Sequence, residues 1–122
     1  MDQIGVMTVH HEEEARRAMR AVVSAASGFE VVGEVATAEE ALELAVALRP
    51  DLALVAVGMP GIDGSETSRR LKEAVPDCTV VLLYASREPD ADARARSEIA
   101  AIHVDELTPG WLQAFGERVQ SA

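Results

Sequence analysis

Residues 52–64 read LALVAVGMPGIDG, and their reading decides the fold. Leu52 to Val57 are apolar without interruption and stop at Gly58, Met59, Pro60, Gly61, Ile62, Asp63 and Gly64. A short apolar run closed by Gly and Pro predicts a strand covered on both faces, as in a parallel sheet flanked by helices. Loops at the carboxyl ends of such strands usually carry function in open α/β sheets. Yet Ala56 and Val57, the residues that lead into this loop, offer no reactive group.

Outward from that strand, the chain alternates strand-like and helix-like segments. Ile4–Val9 is short and β-rich, and Glu12–Ala26 repeats apolar residues at Ala15, Ala18, Met19, Val22 and Ala26, the spacing of one helical face. Glu12, Glu13 and Glu14 load its first turn with the charge that suits the helix dipole, and Gly28 breaks it. Phe29–Val35 is the second strand. Thr37 with Glu40 makes a capping box for a helix running to about Leu48, with Ala41, Leu44, Ala45 and Leu48 as its buried stripe. Arg49-Pro50-Asp51 ends it ahead of strand 52–57.

Ser65–Ala74 reads as a third helix stopped by Pro76-Asp77, and Thr79–Tyr84 as a fourth, apolar strand. Residues 87–98 form helix without a large apolar side chain, so that helix packs weakly. Ala100–Val104 is a last strand. Thr108 caps, and Pro109 opens, a helix carrying Leu112, Phe115 and Val119. Five β-then-α units predict one doubly wound (βα)5 domain of flavodoxin-like class over residues 1–122. Its parallel sheet has the order 2-1-3-4-5, and no effector domain is expected within the chain.

A chain of 122 residues buries a core without staples, and the lone Cys78 excludes an internal disulfide. The longest apolar runs are far too short to span a bilayer, so a cytoplasmic domain with no membrane contact is expected. The net charge of −10, from 21 acidic against 11 basic residues, argues against direct nucleic-acid binding. Phe29, Tyr84, Trp111 and Phe115 are the only aromatic residues, too few for a base-stacking platform.

The stretch FEVVGEVATAEEALELAVALRPDLALV, followed by MPGIDG and SRRLKEAVPDCTVVLL, resembles the receiver domain of bacterial response regulators. The closest resemblance is to the branch whose receivers precede helix-turn-helix output domains. It covers Ile4 to about Val119 and is most specific over 29–83. In that family a sensor kinase passes a phosphoryl group to an aspartate ending the third strand. Two acidic residues after the first strand hold Mg²⁺ beside it. A Ser or Thr ending the fourth strand and a Lys ending the fifth complete the pocket.

Carried over position by position, the resemblance puts Ala56 at the acceptor and His10 and His11 at the acidic pair. Tyr84 stands at the switch hydroxyl and Asp105 at the lysine. What survives is the loop scaffold of Met59, Pro60, Gly61, Asp63 and Gly64. An alanine methyl accepts no phosphoryl group, and without the acidic pair nothing holds Mg²⁺. The resemblance therefore implies an atypical, phosphorylation-independent pseudo-receiver: not an enzyme, without cofactor or metal, in a two-component, phosphorelay setting. It implies action by protein contact or dimerisation, with control of a transcription-regulating output domain.

His10 and His11 with Glu12 would hold a transition metal only if the strand has turned to loop, since adjacent strand residues face apart. Ordinary polar loop residues are the better expectation. Tyr84 is either an inward–outward switch or a ring that fills the space left by the missing aspartate. Asp63 is a turn former or cap, and Glu12 with Asp105 has no nucleophile beside it. Trp111 is either a half-buried core residue or an anchor for a partner. Glu98, Trp111 and Phe115 mark the candidate interaction surface. The alternative function is a small-molecule sensor whose pocket is bordered by His10, His11, Ala56, Tyr84 and Asp105.

Overall fold

The computed structural model describes residues 3–57, 64–84 and 100–121. Five strands, β1 (Ile4–Val9), β2 (Phe29–Val35), β3 (Leu52–Val57), β4 (Thr79–Tyr84) and β5 (Ala100–His103), form one parallel sheet of order β2-β1-β3-β4-β5. Four helices lie among the described residues: α1 (Glu13–Ala25), α2 (Ala38–Leu48), α3 (Gly64–Ala74) and α4 (Pro109–Ser121). This is the doubly wound architecture that the alternation of segments dictates. The helix expected over 87–98 lies outside the described residues, as do Met59, Pro60, Gly61 and Asp63 of the loop. Gly64, read as the last loop residue, is the first residue of α3.

Strand alternation divides the core in two. Val6, Leu52, Leu54, Val81, Leu83 and Ile102 face α1 and α4, where they meet Met19, Val23, Leu112 and Phe115. Met7, Val9, Val55, Val80, Leu82 and Tyr84 face α2 and α3, where they meet Ala41, Ala45 and Leu71. Because both faces are covered, the central strands read as continuous apolar runs rather than alternating ones.

The helix ends follow local chemistry. Thr37 accepts the Glu40 amide at 3.2 Å as an N-cap, while the Glu40 carboxylate takes the Thr37 hydroxyl rather than the Thr37 amide, so only half of the expected capping box forms. Arg49 closes α2 in the left-handed region (φ 47°). Gly28, at φ +86°, makes the turn from α1 into β2, a conformation that costs glycine little, and its carbonyl receives the Ile4 amide at 2.7 Å.

Two expected stripes are corrected. In α1 the core contacts come from Met19 and Val23, with half-buried Val22 packed against them and Ala26 buried just past the helix end, while Ala18 is exposed and Ala15 half-buried. The buried face includes Val23, which the expected stripe left out, and Ala15, Ala18 and Val22 also line a groove. In α2, Leu48 is 47% exposed rather than buried. Its strand, β2, is the sheet edge, so the last turn of α2 overhangs it. Leu44 meanwhile closes over Gly33, where a Cβ would stand 2.3 Å from Leu44 Cδ2.

The last strand ends one residue earlier than expected. Val104 opens a 3-10 turn, Val104–Glu106, in which His103 Nδ1 accepts the Asp105 amide at 3.1 Å. Glu106 Oε1 in turn accepts the His103 amide at 3.1 Å.

Candidate functional site

The carboxyl ends of β1, β3 and β4 meet where a phosphoryl site would be built. Val9 pairs with Val55, so His10 and Ala56 stand one step further along their strands, and Ala56 pairs with Leu83 on β4. His10 still belongs to the sheet through its amide, which donates to Val35 at 3.1 Å. By alternation Ala56 falls on the α1/α4 face with Leu52 and Leu54. It is 1% exposed, so its methyl is buried.

The two histidines are held by specific bonds. His10, 5% exposed, accepts the Glu12 amide on Nδ1 at 3.0 Å and receives Arg16 Nη1 on its carbonyl at 2.7 Å. An accepting Nδ1 makes the neutral ring carry its proton on Nε2. Burial lowers the His10 pKa from 6.5; His11 and Arg16 push it the same way, and Glu12 opposes them. The His10 and His11 rings stack at 5.2 Å with 12° between planes, and His11 Nε2 lies 3.6 Å from Glu12 Oε1.

This arrangement does not suit Mg²⁺, a hard cation that needs carboxylate or carbonyl oxygens. The side chains at these strand ends are the imidazoles of His10 and His11 and the methyl of Ala56. His10 Nδ1 is committed to the backbone, and among the described residues no three His, Cys, Asp or Glu side chains come together to hold a metal.

Tyr84 is 4% exposed and packs in the α2/α3 half of the core, paired in register with Val57. Asp105 sits in the turn after β5 with a largely exposed side chain (89%), beyond the strand end where the family's lysine would stand. Of the five residues expected to border a ligand pocket, only His10 lines the groove found here. That groove holds about 290 Å³ between α1 and the turn after β5.

The candidate interaction residues separate. Phe115 is 8% exposed and belongs to the core, a correction that follows from Gly116: its bare Cα lets α4 close onto Phe29 and Ile4, which draws the neighbouring ring inward. Trp111 is half-buried against the same core and stacks on Phe115 at 4.9 Å. Glu98 lies outside the described residues. Cys78 is no reactive nucleophile: burial pushes its thiol up to about 11 despite the nearby Lys72.

Sequence reasoning missed Asp51, which it took only as part of a helix stop. Asp51 ties three strand starts together: Oδ2 accepts the Gly5 amide, its amide donates to the Gly5 carbonyl, and its carbonyl accepts the Thr79 amide, at 2.9, 2.9 and 3.0 Å. It also missed Arg16 and the apolar groove. A polar residue immediately before an apolar strand was the available signal for Asp51, whereas the groove depends on helix roll and has no such signal.

No helix among the described residues is long and apolar enough to cross a membrane. Residues 6–104 match the response regulator receiver domain. Over 98 residues the chain is 34% identical to the response regulator GacA of Pseudomonas aeruginosa, covering 80% of this chain and 46% of GacA, so it spans less than half of that relative. Its fold superposes on the signal receiver domain of NarL from Mycobacterium tuberculosis with a TM-score of 0.83 at 23% identity, over 100% of both chains. It also superposes on a LuxR-family DNA-binding response regulator from Staphylococcus aureus (TM-score 0.79, 16% identity, 95% of this chain and 98% of that one). Fold, register and family match agree: this chain belongs to the response regulator receiver domain family.

Proposed function

We propose that this receiver domain signals without phosphorylation, as an atypical receiver that works through protein contact. The observation that carries the reading is Ala56 at the acceptor position, packed to 1% exposure between Leu83 and the end of β1, where two stacked imidazoles replace the acidic pair. A phosphoryl transfer needs a nucleophile, a divalent ion and charge compensation together. Each of the three positions holds a side chain unsuited to its role.

In this reading the domain catalyses no step and takes no cofactor. Its partner is a second copy, or an output domain whose transcription-regulating activity it controls. The DNA-binding regulator of S. aureus supports the output part of the reading, and the half-buried Trp111 supports a contact through α4. With a net charge of −10 the domain leaves nucleic-acid binding to its partner.

The test is incubation with Mg²⁺ and either beryllofluoride or acetyl phosphate, followed by amide NMR spectra and intact mass. The expected result is no added phosphoryl group and no shift at residues 10, 56 and 84. A saturable shift centred on residue 56, or an added phosphoryl mass, overturns the reading. Sedimentation without phosphodonor tests self-association: a dimer supports a homodimeric module, and a strict monomer assigns the contact to another protein.

A further inference from the structure

We draw no further inference here: the strongest candidate, the exposed apolar face that Val46 and Leu48 form at the end of α2 beside the edge strand β2, carries nothing because nothing among the described residues shows what covers it.

Discussion

Ala56 and Tyr84 sit on neighbouring strands yet face opposite sides of the sheet. Ala56 pairs with Leu83 and Tyr84 with Val57, so the tyrosine ring enters the α2/α3 half of the core while the alanine methyl turns toward α1 and α4. The ring therefore does not pack against the Ala56 methyl from the same face of the sheet. Tyr84 is a buried core residue in its own right.

Ala56→Asp is consequently expected to restore nothing and to destabilise. A carboxyl at a site 1% exposed loses its hydration on folding. The expected loss is about 2–4 kcal/mol in urea unfolding, with no phosphorylation by acetyl phosphate. Tyr84→Ala, by contrast, should cost about 3–5 kcal/mol by leaving a cavity on the other face. If Ala56→Asp proves as stable as the parent, the position is more open than its packing indicates.

Asp51→Ala should lose about 1–3 kcal/mol, because it leaves the Gly5 amide without its 2.9 Å side-chain acceptor. Asp51→Asn keeps an acceptor oxygen and should lose less than half as much. Urea denaturation of the two variants checks the ordering, and equal losses would assign the role of Asp51 to charge rather than to the hydrogen bond.

Gly116 and Gly110, in the same helix, should respond oppositely to alanine. A Cβ at Gly116 would stand 2.6 Å from Phe29 Cζ and 3.2 Å from Ile4 Cδ1, both in the packed core. Gly116→Ala is expected to cost about 1–3 kcal/mol through overpacking. At Gly110 the nearest atom is Thr108 Oγ1 at 4.0 Å, so Gly110→Ala should be neutral or stabilising by up to about 1 kcal/mol. Thermal unfolding of both variants compares them directly.

Strand order and the boundaries of β1, β2, β3 and β4 were legible because apolar runs and Gly or Pro stops mark a sheet covered on both faces. The side chains at Ala56, His10 and His11 are a sequence property, but their burial and hydrogen bonds come from the fold. Helix roll was not legible. Ala18 and Val23 both fit an apolar stripe in α1, and only packing against the sheet decides that Val23 goes in and Ala18 stays out. Leu48 misled for a related reason, because nothing in its own helix tells that β2 is an edge. The side of the sheet taken by Tyr84 depends on register with β3, a long-range relation that one strand does not encode.

The last prediction concerns pH. Burial holds His10 below its ordinary 6.5, so the folded ring resists the proton that the unfolded chain accepts. Between the folded value and 6.5 the unfolded state binds more protons, so stability rises with pH across that window. The contribution of His10 is fully present above 6.5 and is lost as pH falls through that value toward the folded one. Protonation would also turn Nδ1 into a donor and break its bond from the Glu12 amide, loosening the start of α1. His10→Asn supplies an acceptor oxygen that does not titrate. Urea unfolding from pH 7.5 to 5 should therefore show a shallower loss of stability in His10→Asn than in the parent. Parallel curves for the two proteins would show that His10 plays no part in the acid sensitivity of the fold.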